Sequence, residues 1–421
     1  MRILFCNYEY PPLGGGGGVL NALLAQELAK QHEVTVLTSR APGLQSESWE
    51  HGVQVVRVPV VFRRQDAVAN LRSMFAFMVL GTRTGKRLTQ KQPYDVVNTH
   101  FVLPSGPVGH AVARAARLPH VLSVHGGDLY DPSKFISPHR HFMLRTWVRW
   151  LLRRSDIVVG QSRNTLDNMR HFYASEIEGV RIPLGIQRPS VGVGCRGHYG
   201  CAADEFLLVT VGRLIARKGL DQLLTVVAQL RHERARLLVI GTGPLETPLK
   251  AEARRKGIAD HVQFLGHVDE AEKFRILRMS DLYVSTSRHE GFGLVFLEAM
   301  ACRLPVVCYN NGGQTDFLED RTTGYLLPLD DLNAFAARCR DLKADPTLRQ
   351  RIGAENQRRA ETLFIDRCAD EYAKVFQEAI TRCQMETLVS VSSAKKLPLG
   401  AVAGRLAAPS NQGSLAPISL R

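Results

Sequence analysis

Two successive series of short apolar runs, alternating with stretches of helical periodicity, constrain this 421-residue chain more than any other feature. In the first series, residues 2–7, 34–38, 53–61, 96–99, 121–124 and 157–159 are apolar runs without polar alternation. Such runs suit strands buried on both faces. Residues 20–30 repeat apolar side chains at Leu20, Leu23, Leu24 and Leu28, the spacing of a helix face. The second series predicts strands at 206–211, 236–240, 262–266, 282–285 and 305–309. Helices are expected at 220–232, 245–256, 270–279, 294–302 and 332–344. Strand–helix alternation implies parallel sheets with helices on their faces. Residues 182–203, rich in Gly and Pro, read as the linker between two such domains, and the chain is long enough for two cores.

Composition narrows the partners. Lys and Arg (54) exceed Asp and Glu (40), for a net charge of +14, which favours anionic ligands such as phosphates, nucleic acid or an acidic membrane surface. Nucleic acid is not expected, because no binding module or basic strand interleaved with aromatics is present. The eight cysteines form no C-x-x-C pair and no zinc-type spacing, so a reducing cytoplasm and no metal are expected. Residues 1–8 run straight into a glycine loop and are not read as a signal peptide. The uncharged stretch 73–82 falls far short of the ~20 residues a spanning helix needs.

Three loops carry the chemistry. Gly14–Gly18 follow the first strand and can bring backbone N–H groups against an anion. The dinucleotide fingerprint fails, since Val19, Leu20 or Asn21 stands where its third glycine belongs, and Ser39-Arg40 replaces the acid after the second strand. Gly212-Arg213 through Lys218-Gly219 links a strand to a helix and offers a guanidinium fork and a compact ammonium to phosphate oxygens. Gly241–Pro244 (GTGP) allows close backbone approach at Gly243. The strongest signal is His289 to Glu298 (HEGFGLVFLE). There Glu290 lies in the loop and Glu298 on the following helix, so two carboxylates can accept hydrogen bonds from sugar hydroxyls. A helix-dipole role explains one glutamate but not a second beside a Gly-x-Gly turn.

At PPLGGGGG, SVHGGD, IPLGI, VGRLIARKG, GTGP and HEGFGLVFLEAMACRLPVV, within residues 11–313, the chain resembles the family 4 retaining glycosyltransferases of the GT-B fold. The resemblance implies two doubly wound Rossmann-like domains facing a central cleft. It assigns 1–185 to an acceptor-side domain and 186–365 to a nucleotide-sugar-binding domain. Residues 366–384 would be a helix crossing back to the first domain, and 385–421 a flexible tail. It also implies that Arg213 and Lys218 hold a diphosphate, Glu298 the ribose and Glu290 the donor sugar, with His125 at the reacting sugar. Gly15, Gly16, Gly17, Asp128, Gly212, Gly243, Gly291, Phe292, Gly293 and Leu294 would line the donor. The donor is a substrate, and no cofactor is expected. Gln187 stands where the family often has Asp or Asn, and Gln314-Thr315-Asp316 replaces a proline-glutamate, which leaves sugar and acceptor preference open.

The stretch from His141 to Arg154 (HFMLRTWVRWLLRR) places Leu144, Trp147, Val148 and Leu151 on one face, with Arg145, Arg149 and Arg153 as a separate stripe. It reads either as a domain helix or as a contact with anionic lipid. Residues 63–91, with Asp66 their only acid, are basic too. The expected enzyme is a metal-independent, retaining hexosyltransferase, cytoplasmic or peripheral on the cytoplasmic membrane face. It would use a UDP-sugar, with GDP-mannose as alternative, and a glycan, lipid-linked or small-molecule acceptor. Rival readings are a nucleotide-sugar epimerase of the same fold, a basic nucleic-acid-binding protein, and a pyridoxal-phosphate phosphorylase, for which no lysine motif is seen.

Overall fold

A computed structural model describes residues 1–60, 70–131 and 136–394. The first series comprises β1 (Arg2–Cys6), α1 (Gly16–Leu28), β2 (Glu33–Arg40), β3 (Glu47–Glu50), β4 (Val53–Pro59), α2 (Leu71–Lys91), β5 (Val96–His100) and α3 (Ser105–Ala116). It continues with β6 (His120–Val124), α4 (Gly126–Leu129), α5 (Phe142–Arg154), β7 (Ile157–Gly160), α6 (Arg163–Phe172) and β8 (Val180–Arg181). These eight strands form one sheet in the order β3-β4-β2-β1-β5-β6-β7-β8, parallel except for β3. The second series runs β9 (Phe206–Val211), α7 (Leu220–Gln229), β10 (Ala235–Ile240), α8 (Glu246–Arg255), β11 (Val262–Gly266), α9 (Glu270–Met279) and β12 (Leu282–Ser285). After it come α10 (Leu294–Ala301), β13 (Val306–Tyr309), β14 (Gly324–Leu327), α11 (Leu332–Ala344), α12 (Pro346–Ala360) and α13 (Ile365–Ala394). Its sheet is fully parallel, in the order β11-β10-β9-β12-β13-β14.

The expected strands appear because their residues are buried on both sides: β5 and β6 have no exposed position. Three strands escaped the pattern. β3 (ESWE) carries no apolar run and pairs only at an antiparallel edge, β8 has two residues, and β14 (GYLL) is a four-residue run. Helix α1 starts at Gly16, four residues before its apolar periodicity, so Gly16–Gly18 form its first turn rather than a loop. The expected linker is packed: Ile182, Leu184 and Ile186 are buried, and Ile186 exchanges backbone hydrogen bonds with Leu363 and Ile365 where the chain crosses back. Beyond that crossing, the Tyr372 hydroxyl on α13 donates to Ser123 Oγ of β6 at 3.1 Å, and Phe376 meets Phe5 of β1 edge-on.

Compactness divides the chain after Ile380. In the second unit α13 continues to Ala394, so residues 385–394, expected as tail, are helical; the rest of that expectation, 395–421, lies outside the described residues. So do Val61 and residues 63–69 of the basic stretch. Among the described residues no helix is long and apolar enough to cross a membrane.

Candidate functional site

Strand order reverses at β9, flanked by β10 and β12, and at β1, flanked by β2 and β5. Ligands of open parallel sheets bind beyond the carboxyl ends of strands at such switch points. Lys218 comes from the loop after β9 and Glu290 from the loop after β12, so the reversal brings together two residues 72 apart in sequence. Lys218 Nζ donates to Glu290 Oε1. Arg217 stands beside them, with Nη1 2.8 Å from the His289 carbonyl and 3.7 Å from Glu290 Oε2. Glu290 is only 6% exposed. Burial pushes its carboxyl up, but Lys218 and Arg217 together outweigh that and hold it below the usual range. Two cations against one carboxylate leave a net positive centre at the strand ends.

Arg213, expected beside Lys218 on the phosphates, is exposed and lines a small cavity with Gly212, Lys218 and Ser285. Arg217, four residues on, makes the contact with Glu290 that sequence reasoning did not foresee. The 3-10 turn Ala216–Lys218 aims Arg217 and Lys218 at Glu290, and Gly219 ends that turn in the left-handed region at φ 59°. Gly243 supports the Arg213 loop from behind, since a Cβ there would stand 2.4 Å from the Leu214 carbonyl.

Glu298, on α10, pairs with Lys273 of α9 at 2.9 Å, and Lys273 also reaches Glu270 at 2.8 Å. Burial raises the Glu298 carboxyl despite that lysine. Its Oε2 is buried without a hydrogen-bond partner, an acceptor open to a ligand hydroxyl. Lys273 was missed because it sits inside an amphipathic helix pattern. The amides of Gly293 and Leu294 lie at the start of α10, while the Phe292 ring is buried against Phe317.

On the first sheet, Gly15 is the N-cap of α1, and its N–H donates to Glu9 Oε2 at 3.3 Å. One of the amides expected to face a donor is thus capped by the chain's own carboxylate. Around Gly15 and Gly16 the space is open, whereas Gly17 faces Phe101. Asp128, expected to bind substrate, spends its carboxylate on backbone: Oδ1 accepts from the His125 N–H (3.0 Å) and Oδ2 from the Val102 N–H (2.7 Å). Its place three residues into α4 makes it a cap for the loop it belongs to. His125 is buried, with Nδ1 2.9 Å from Gln161 Oε1 and Nε2 3.1 Å from His100 Nδ1.

The two sheets meet at Gly291. Ser162, the N-cap of α6, donates its hydroxyl to the Gly291 carbonyl at 2.9 Å, and a Cβ on Gly126 would lie 2.4 Å from Gly291 Cα. Asp316, one of the departures from the family pattern, accepts from the Arg163 N–H at the start of α6 (2.9 Å) and from Arg181 (3.2 Å). No local signal predicts these contacts, which join residues more than 120 positions apart.

Burial drives His125 down to about 4, His120 to about 3 and His100 well below its ordinary value. The unfolded chain therefore binds protons that the folded chain refuses once pH drops below about 6.5. Stability should fall by up to about 1.4 kcal/mol per pH unit for each such imidazole between pH 6.5 and 4. Denaturant unfolding at pH 7.5 and 5.0 checks this, and equal unfolding free energies would contradict it.

With this geometry in view, comparison with known proteins is decisive. Residues 14–187 match Glycosyltransferase Family 4, and residues 196–359 match Glycosyl transferases group 1. The chain belongs to the family 4 glycosyltransferases. Its fold is GT-B: it aligns with a sucrose-phosphate synthase from Thermosynechococcus elongatus at a TM-score of 0.78 and 21% identity, over 91% of this chain and all of that one. The Anabaena HepE protein in complex with UDP-glucose aligns at 0.72 and 19% identity, over 90% of this chain and all of that one. A glycogen synthase from Mycobacterium tuberculosis is 28% identical over 83% of this glycosyltransferase and 88% of its own length. A GDP-mannose-dependent phosphatidylinositol monomannoside mannosyltransferase from Mycolicibacterium smegmatis is 26% identical, over 82% of this chain and 90% of that protein.

Proposed function

We propose that this glycosyltransferase moves a hexose, with retention of configuration and without a metal, from a nucleotide diphosphate sugar to an acceptor hydroxyl. The observation that carries the proposal is the Lys218–Glu290–Arg217 cluster at the β9/β12 switch point. A donor diphosphate would take over Lys218, with Arg213 swinging in from the cavity rim, and Glu290 would turn to a sugar hydroxyl. Glu298 would take the ribose on its free Oε2. In a front-side displacement the acceptor oxygen bonds to the anomeric carbon as its bond to the phosphate oxygen breaks. The departing phosphate oxygen takes the acceptor's proton. The cations stabilise the charge that develops on that oxygen, and the cleft supplies positioning.

A UDP-sugar is the favoured donor, and GDP-mannose the alternative. Proteins similar to this one are described with each, HepE with UDP-glucose and the mannosyltransferase with GDP-mannose. A thermal-shift screen against both classes tests the reading, because a donor at 100 times its Kd adds about 2.7 kcal/mol of stability. No shift with any nucleotide sugar refutes it. An epimerase would isomerise the sugar in a donor-only incubation, which this enzyme should not do. The names of the similar glycogen and sucrose-phosphate synthases support a place in polysaccharide or glycoconjugate biosynthesis.

A lipid-linked acceptor reached from the cytoplasmic membrane face is a second reading, with a particular surface behind it. On α5, Val148 and Leu151 are buried as in a domain helix, Arg149 donates to the Tyr173 carbonyl, and Arg153 pairs with Glu176. Two of the three stripe arginines are therefore engaged by the protein, and the lipid-facing groups would be Phe142 and Met143, 76% and 82% exposed. Leu71 and Phe75 on α2 are exposed as well, with Arg83, Lys86 and Arg87 exposed further along that helix. Exposed apolar groups beside basic ones suit anionic lipid. The protein should float with anionic vesicles at low salt, and F142S/M143S should weaken flotation; absence of binding by the unaltered protein dismisses the membrane contact.

A further inference from the structure

His125 is gripped by more partners than a site loop requires. Its ring stacks on Phe101 (centroids 4.3 Å apart, planes 28° apart), and Phe101 is held at φ 69°, a conformation bulky residues rarely adopt. Only a glycine fits opposite, because a Cβ on Gly17 would stand 2.4 Å from the Phe101 ring. Both imidazole nitrogens are engaged as well, and the bonds continue into the protein. His100 Nε2 lies 2.8 Å from Asn98 Nδ2, Ser123 Oγ is 3.3 Å from Asn98 Oδ1, and the Tyr372 hydroxyl is 3.1 Å from Ser123 Oγ. Asn98, His100, Ser123 and Tyr372 are all at most 2% exposed.

Such a buried chain has one direction in which every proton finds an acceptor. Tyr372 O–H donates to Ser123, Ser123 O–H to the Asn98 carbonyl, and the Asn98 amide to His100 Nε2. That leaves His100 Nδ1–H to donate to His125 Nε2, and His125 Nδ1–H to donate to Gln161 Oε1. Reversed, the Tyr372 proton would be left without an acceptor. At the far end the Gln161 amide nitrogen is turned to the contact between the sheets, 2.7 Å from where a Cβ on Gly291 would stand.

We propose that His100 is a positioning residue for glycosyl transfer. With Asn98, Ser123 and Tyr372 it fixes His125 as the Nδ1–H tautomer and so sets the Gln161 amide against the Gly291 turn that carries Glu290. The proposal rests on the transfer reading above. It links α13 to the reacting centre through side chains alone, and it leaves neither nitrogen of His125 free to act as a base while the chain is intact.

The experiment has a kinetic and a spectroscopic arm. His100→Phe keeps the ring stacked on Phe5 (5.6 Å, 8°) but removes the N–H. His100→Asn restores an N–H at the position of Nδ1. H100F should lower kcat on the order of 10- to 100-fold with the donor KM little changed, as loss of an orienting partner does elsewhere. H100N should recover most of that loss, and Y372F should show a smaller fall in the same direction. Wild-type kcat in H100F, or H100N as impaired as H100F, overturns the proposal. In the second arm, histidine ring 15N shifts of the full chain at neutral pH, assigned with H125Q, should report Nδ1–H for His125. An Nε2–H tautomer overturns the proposal whatever the turnover. Failure of the unaltered enzyme to transfer from any nucleotide sugar would instead defeat the proposed function, and the tautomer would still be decided by NMR.

Discussion

Lys218→Ala should lower turnover by on the order of 10²–10³, the effect of deleting one preorganised charge-stabilising donor. Lys218 holds the one Glu290 oxygen that Arg217 does not face, at the carboxyl ends of β9 and β12. Without it two things change. The departing phosphate loses a cation, and Glu290, 6% exposed, is left with Arg217, at 3.7 Å, as the cation beside it. Breaking a buried pair by removing one partner costs about 3–5 kcal/mol, so the melting temperature should fall as well. Lys218→Ala/Glu290→Gln separates the effects: it should regain stability, since no buried carboxylate is left unpaired, without regaining turnover. Steady-state kinetics at saturating donor, together with thermal unfolding, reads both. Wild-type turnover in K218A would sink the assignment of this cluster to donor chemistry.

Gly126→Ala should be as damaging for a different reason. Its Cβ would stand 2.4 Å from Gly291 Cα, backbone against backbone, with no flexible side chain to move aside. The Gly291 turn would have to shift, taking Glu290 with it and breaking the bond from Ser162 to the Gly291 carbonyl. A displacement of about 1 Å in such a site can cost 10²-fold in rate. The core on one face of the second sheet belongs to that sheet alone, so the donor, held mainly by the second sheet, should still raise the melting temperature. Gly127→Ala is the internal control, because nothing lies within 4 Å of its Cβ. It should retain kcat. If G126A and G127A behave alike, the contact at Gly291 does not govern the reaction.

Much of the architecture was legible in the chain because its cause is local. A strand covered on both faces must be apolar almost throughout, and 206–211 and 282–285 were read to the residue. Where the local cause is weak the reading failed: ESWE pairs only through an edge, and the glycines opening α1 carry no periodicity.

The candidate site divides in the same way. Glu290, Glu298 and Lys218 could be singled out because their spacing around Gly-rich turns is itself the signal. That Arg217 contacts Glu290 while Arg213 stays exposed was decided by the 3-10 turn at Ala216–Lys218. Lys273 beneath Glu298, Glu9 at the α1 amide, the bond from Ser162 to Gly291 and the chain from Tyr372 to Gln161 belong wholly to the tertiary structure. The physical reason is range. Burial pattern and turn chemistry act over a few residues and are written in composition. A hydrogen bond between Ser123 and Tyr372 spans 249 positions and exists only once the last helix has returned to the first sheet.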